Sequence, residues 1–198
     1  FNEKEMDRCF PHLARSQTKQ THSGVCLQTL SPHPPDTEGD GQVTSASGVA
    51  LTVYTADCLP ILLFDPDTGQ IASLHAGWRG LTRNIVASTL SHFQKKSTSR
   101  LLAWIGPHIQ TDSFEVGCEV GSSLASAAPT ARVTFPHPND PSKNLVDLGK
   151  LATSQMTSLG VLEQNIWSHP VDTFKDPNYY SFRRDRVGGR LLSFIARL

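Results

Sequence analysis

An α+β fold, a mixed β-sheet sandwich flanked by helices within a single domain spanning 1–198, is what the sequence predicts. Three observations carry that prediction. Apolar or alternating runs suited to strands recur at 49–54, 59–64, 70–75, 101–105, 166–169 and 189–195, and turn-forming residues separate them. Helical periodicity is confined to a few stretches, clearest after Gly77, where Trp78, Leu81, Ile85, Val86, Leu90 and Phe93 recur mostly in steps of three and four. Strands and helices do not alternate as repeated βαβ units would, which favours a sandwich over a doubly wound sheet. The 198 residues, 38% of them hydrophobic, suffice for one domain with a full core.

Taken in order, residues 1–20 are polar with weak periodicity and read as irregular chain or a short helix. A strand is expected just after His22, where Val25, Cys26 and Leu27 follow Gly24. Residues 31–41, with three prolines and little that is apolar, read as a loop. In 49–54, Val49, Leu51 and Val53 alternate with Ala50, Thr52 and Tyr54, the pattern of a strand with one better-buried face. That strand delivers Asp57 and Cys58 to its end. The runs 59–64 and 70–75 flank Asp65-Pro66-Asp67-Thr68-Gly69, rich in turn formers, and should pair roughly 5 Å apart. Cys58 entering the first strand and His75 leaving the second then face one pocket. One helix is expected from Gly77 through about Phe93, with Arg79 and Arg83 on its outer surface. A buried strand at 101–105 leads into Gly106-Pro107-His108. Helices follow at 115–127 and at 145–159, the second stopped by Gly160. Runs 166–169, 179–183 and 189–195 read as closing strands.

Eighteen basic and eighteen acidic side chains give a formal net charge of zero, so no field favours nucleic acid or an anionic membrane as partner. Small molecules fit better. Residues 1–6 lack the apolar core of a signal peptide, and no run approaches the roughly 18–20 apolar residues of a membrane span. The longest candidate, 49–64, is interrupted by Thr55, Asp57 and Pro60. Four scattered cysteines without CxxC spacing argue against a disulfide scaffold or a zinc finger and for a reducing, cytosolic setting.

His22, Cys58 and His75 form a His-Cys-His set of the open kind: catalytic zinc takes three protein ligands and keeps a fourth position for water or substrate. Thiolate and imidazole also accept copper(I), so ligand type leaves the metal undecided. Spacing alone leaves a second reading open, in which Cys58 packs as a small hydrophobe, His75 bonds the backbone and His22 faces solvent in a turn.

The segments Thr55-Ala56-Asp57-Cys58-Leu59-Pro60, His75-Ala76-Gly77-Trp78-Arg79-Gly80, Ile105-Gly106-Pro107, Phe114-Glu115-Val116-Gly117 and Ser181-Phe182-Arg183-Arg184-Asp185 carry a resemblance. From about Gln20 to the C-terminus the chain resembles the multicopper polyphenol oxidase, or laccase-domain, family. Its members are also called purine nucleoside phosphorylases and, in bacteria, peptidoglycan editing factor. The resemblance implies a metal site made by His22 of Gln20-Thr21-His22, Cys58 and His75. It implies zinc, with copper as alternative, and phosphorolysis of purine nucleosides together with adenosine deamination. Deamination at purine C6 needs a carboxylate to move protons. Asp57 and Glu115 are the carboxylates inside the shared motifs, although Asp57 suits a turn equally well. For phosphate, Arg79, Arg183 and Arg184 are candidates, because guanidinium binds its oxygens in pairs; a salt-bridged surface turn is the alternative for the 183–186 run. A different enzyme class also stays open: Cys58 as a nucleophile activated by His75, hydrolysing amide or acyl bonds, as in editing a peptidoglycan precursor. Laccase chemistry itself is not expected, since it needs more histidines at dedicated copper sites than three ligands provide. The chain departs from the family pattern in having only about twenty residues before His22, Gln110-Thr111-Asp112-Ser113 after the Gly-Pro turn and Val171-Asp172 near the last strands. These departures leave the substrate open.

Overall fold

The central apolar runs pair because the turn between them bonds its own backbone. Asp65 accepts hydrogen bonds from the backbone N–H of Asp67 and the hydroxyl of Thr68, and Gly69 closes the turn at φ +71, a conformation glycine adopts without strain. The computed structural model describes residues 3–34, 36–128, 130–186 and 188–198. The expectations for Phe1, Asn2 and Pro35 lie outside the described residues.

In chain order the elements are α1 (Glu3–Cys9), β1 (Ala14–Ser16), β2 (Cys26–Gln28), β3 (Gly41–Thr44), β4 (Val49–Thr55), β5 (Leu59–Phe64), β6 (Ile71–Ala76), α2 (Trp78–Thr82), α3 (Ile85–Leu90), β7 (Leu102–Ile105) and β8 (Glu115–Gly117). There follow α4 (Cys118–Ser126), β9 (Thr134–Pro136), β10 (Lys143–Val146), α5 (Leu148–Ser158), β11 (Ile166–Ser168), α6 (Phe182–Asp185) and β12 (Leu191–Ala196). The largest sheet has the order β11-β7-β5-β6-β3-β2, a second has the order β1-β4-β12, and β8-β10-β9 form a small third. Parallel pairs (β1 with β4, β2 with β3, β11 with β7) sit among antiparallel ones, so the fold is the expected one, mixed sheets flanked by helices.

Two-residue periodicity divides β6 between two cores. Ala72, Leu74 and Ala76 join Leu59, Ile61 and Leu63 of β5 under Leu81, Ile85, Val86, Leu151 and Met156 of the helical layer. Ile71 faces the other way, against Val49 and Leu51 of β4 and Ile195 of β12. His75 shares that second face, at the end of β6 and between the sheets. A polar strap joins the sheets nearby: Ser16 donates to Gln42, Gln42 to the carbonyl of Thr52, and the Thr52 hydroxyl to the carbonyl of Ser16. Strand β4, expected to have one better-buried face, is buried along almost its whole length.

Several elements differ from the sequence reading. The helix expected through Phe93 breaks at Asn84, which adopts φ 61 and ψ 34. The loop bearing His22 crosses there, and a Cβ on Gly24 would collide with the carbonyl oxygen of Arg83. The helices expected at 115–127 and 145–159 each begin as a strand. Residues 115–117 and 143–145 pair with one another, and the helices start only at the Gly117 and Asp147 caps, Asp147 accepting from the Lys150 N–H at 2.7 Å. The strand expected at 179–183 is instead a turn and the helix α6, because the Ser181 hydroxyl caps the Arg184 N–H. No helix of the described residues is long and apolar enough to cross a membrane.

Candidate metal centre and substrate cleft

Strand pairing builds half of the site. Leu59 pairs with Ala76 and Pro60 with His75, so Cys58 stands beside the end of β6. Asp57, at φ 85, turns the chain into β5. Its carboxylate accepts from the Thr173 hydroxyl at 2.8 Å and from the Arg183 N–H at 2.7 Å, tying this turn to the start of α6. His22 comes from the loop before β2 and is itself left-handed, at φ 58.

That loop is held by Asp40, whose side chain is fully buried. One oxygen accepts from His75 Nδ1 at 2.7 Å and from the His22 N–H at 3.0 Å. The other accepts from the Thr21 N–H and from the N–H and hydroxyl of Ser23. The arrangement leaves Nε2 of His75 turned toward Cys58, while His22 Nε2 lies 3.9 Å from Cys58 Sγ. The ligand atoms of His22, Cys58 and His75 all lie within 4.8 Å of one another. A tetrahedral zinc ion needs sulfur and nitrogen about 3.5 Å apart, so these donors fit a metal with small side-chain movements. Gly77 leaves room for them: a Cβ there would stand 2.8 Å from Cys58 Sγ and 3.1 Å from His22 Cδ2.

Electrostatics follow from the same contacts. Burial opposes ionisation of Asp40, but hydrogen bonds from His75 and Ser23 outweigh it and hold the carboxyl at about 2. Burial likewise disfavours a charged His75, yet its bond to Asp40 and the nearness of Cys58 raise it to about 9. The Cys58 thiol, which burial would push up, is brought down to about 7 by the two imidazoles. The site thus favours a thiolate beside an imidazolium, and a metal would replace the protons.

The three candidate donors border a cleft of about 700 Å³. Lys19, Arg79 and Arg190 bring positive charge to its lining, Tyr54 and Phe182 aromatic surface, and Glu3 is the one carboxylate among the described lining residues. Arg79 stacks over the Trp78 ring at 4.4 Å. Glu3 is held by the Tyr54 hydroxyl at 2.6 Å and by Arg15 at 2.8 Å. Arg183 and Arg184 are not among the lining residues. Arg183 donates to the Glu115 carbonyl and lies over Phe114. Arg184 donates to the carbonyls of Thr173, Phe174, Asp176 and Tyr179 and pairs with Asp185. Glu115 bonds Lys143 at 2.9 Å, outside the cleft. The two segments that depart from the family pattern bond each other: Gln110 donates to Asp172 and Val171, and Ser113 to Asp172 at 2.6 Å.

Asp40, Gly77, Glu3, Tyr54 and Arg190 escape a reading of the sequence. Asp40 falls in a stretch that reads as loop, Glu3 in a polar segment without a motif, and only folding brings either to the site. Gly77 alone leaves a signal, as a glycine directly after His75-Ala76.

Fold and site together define a class: a mixed-sheet sandwich carrying a three-donor metal-site candidate in the lining of a cationic cleft. The chain belongs to the family described as multi-copper polyphenol oxidoreductase laccase, which matches residues 3–198. It is 33% identical over 177 residues to a Shigella flexneri protein named purine nucleoside phosphorylase YfiH, spanning 89% of this chain and 71% of that one. A purine nucleoside phosphorylase of Haemophilus influenzae is also 33% identical over 177 residues, with the same shares, 89% and 71%. Among solved structures, Neisseria meningitidis protein NMB0706 superposes with a TM-score of 0.87 at 29% identity, over 98% of this chain and 79% of that one. YlmD from Geobacillus stearothermophilus does so with a TM-score of 0.86 at 26% identity, over 98% and 78%.

Proposed function

We propose that the protein is a metal-dependent enzyme of purine nucleosides, catalysing phosphorolysis of adenosine- and inosine-type substrates and deamination of adenosine. The observation that carries this reading is the convergence of His22, Cys58 and His75 within 4.8 Å at a cleft lined by Arg79 and Arg190. The names of the relatives point to the same substrate class. Zinc is the metal we favour, since three mixed donors with an open position suit it; copper(I) is the alternative. Bound there, zinc would supply Lewis acidity and lower the pKa of water to about 7.

The chain's own residues do the rest. Arg79 and Arg190 hold phosphate, and Tyr54 and Phe182 offer rings against which a purine stacks. In phosphorolysis a phosphate oxygen bonds to C1′ as the C1′–N9 bond breaks, and the purine leaves with the electron pair and takes a proton. For deamination, Asp57 is committed to Thr173 and Arg183 and is not among the cleft's lining residues, so we assign proton transfer to Glu3, the one carboxylate of the described lining, and a positioning role to Asp57. Four cysteines outside any disulfide suit the reducing, cytosolic setting that completes this reading.

Incubation with adenosine and phosphate should yield adenine, inosine or hypoxanthine. A chelator should abolish turnover and zinc should restore it. Glu3→Gln should suppress inosine formation more than adenine formation.

A second reading is favoured by the array Asp40–His75–Cys58, with the thiol lowered to about 7: a nucleophilic Cys58 in an amide or acyl hydrolase. Iodoacetamide would then label Cys58 faster than Cys9, Cys26 and Cys118, and a chelator would leave turnover intact. A protein purified without metal, alkylated selectively at Cys58 and inert toward purine nucleosides overturns the first reading for the second.

A further inference from the structure

Asp40 neither belongs to the donor set nor lines the cleft, yet it bonds to both histidine segments of the site. We propose that Asp40 is the positioning residue of the metal centre, a single carboxylate that sets the tautomer of His75 and the pose of His22. The inference rests on the metal reading above.

Its two oxygens receive five donors. Oδ1 accepts from His75 Nδ1–H at 2.7 Å and His22 N–H at 3.0 Å. Oδ2 accepts from Thr21 N–H at 3.1 Å, Ser23 N–H at 2.7 Å and the Ser23 hydroxyl at 2.7 Å. With Nδ1 committed as a donor, the lone pair of His75 is confined to Nε2, the nitrogen that faces Cys58. The same carboxylate gathers three consecutive backbone N–H groups, and so holds the left-handed turn on which His22 rides. Only an acceptor at both oxygens satisfies both halves. An asparagine has one oxygen and one NH₂. If its oxygen faces the backbone, the NH₂ meets Nδ1 and forces the proton to Nε2, where it blocks coordination. If its oxygen faces His75, the NH₂ opposes the N–H groups of Thr21 and Ser23 and releases the loop. Either orientation weakens the metal site while preserving side-chain volume.

The test compares wild type with Asp40→Asn in the full chain, using zinc affinity by chelator competition, the electronic spectrum of the cobalt(II) form and the melting temperature without metal. Asp40→Asn should bind zinc about 10- to 100-fold more weakly and shift the sulfur-to-cobalt charge-transfer and d–d bands. In zinc-loaded wild type, nitrogen NMR of His75 should find the proton on Nδ1 and the metal on Nε2, a measurement that decides the matter even if Asp40→Asn does not fold. Unchanged affinity and cobalt spectrum in Asp40→Asn overturn the inference whatever happens to its melting temperature, because a merely structural carboxylate gives that result. Coordination of His75 through Nδ1 also overturns it. A wild type that takes up neither zinc nor cobalt removes the metal reading itself, and this inference with it.

Discussion

At Gly77 the backbone, at φ −77 and ψ 171, is acceptable to any residue, so only space makes glycine necessary. The missing Cβ leaves the gap that Cys58 Sγ and the His22 ring occupy. We therefore expect Gly77→Ala to lower zinc affinity by about tenfold or more, a loss on the scale of removing a ligand's support, while the metal-free protein melts close to wild type. Affinity measured by chelator competition checks this. Cys58→Ala should abolish both zinc uptake and nucleoside turnover with the fold intact, since a small side chain at a strand end leaves a small cavity; equal zinc in mutant and wild type by elemental analysis would show that Cys58 is not a ligand. His108 belongs to stability rather than chemistry. It is buried, donates Nδ1–H to the Gly106 carbonyl and accepts from Gln110 at Nε2. Burial above all lowers its pKa, against weaker opposing pulls from the Gly106 carbonyl, Asp147 and Asp172. A lowered pKa means the unfolded chain takes up the proton first. The neutral ring thus stabilises the fold above about pH 6.5, and that stability is lost as pH falls below it. The melting temperature should drop between pH 7 and 5, and His108→Gln should flatten that slope.

Between elements, Gln155 shows how the helical layer tolerates the break at Asn84. From α5 its amide donates to the carbonyls of Leu81 in α2, which also accepts from the Asn84 N–H at 3.2 Å, and of Ala127 at the end of α4, where helix carbonyls run out of intrahelical donors. Gln155→Leu removes both bonds and leaves the Ala127 carbonyl without its amide donor, while Leu81 keeps the Asn84 N–H. At about 1–3 kcal/mol for a buried group left unsatisfied, it should lower stability in a denaturant titration without changing zinc content; an unchanged midpoint would mean that water replaces the amide. The break was not legible in the sequence, because Leu81 and Ile85 lie on either side of it and still bury against the same sheet. Apolar periodicity reports the face an element buries and says little about whether the backbone is continuous. The same limit explains 115–117 and 143–145, which pair as strands because each finds the other across the fold.

Across the whole molecule, the donors come from three separate places: the loop before β2, the turn into β5 and the end of β6. A metal that joins them favours the folded state by mass action, about 2.7 kcal/mol at a hundredfold excess over Kd. For a chain of this size each kcal/mol moves Tm by about 2–4 °C, so zinc should raise Tm by roughly 5–10 °C and a chelator should reverse it. A scan insensitive to both would contradict the three-donor site.

The sequence by itself determined the mixed-sheet class, the β5–β6 hairpin and the nearness of Cys58 to His75, because each follows from local pattern or from a turn joining neighbouring segments. The family motifs added His22. Only the tertiary structure decided what surrounds them. Asp40 reaches His75 across 35 positions of sequence, and Arg183 and Arg184, inside a family motif, are drawn into the scaffold around α6 by carbonyls that no local pattern reveals. A hydrogen-bonding side chain is recruited by whichever unpaired backbone group folding leaves beside it. Its residue type states what it can bond, and the packing of distant segments settles which partner it meets.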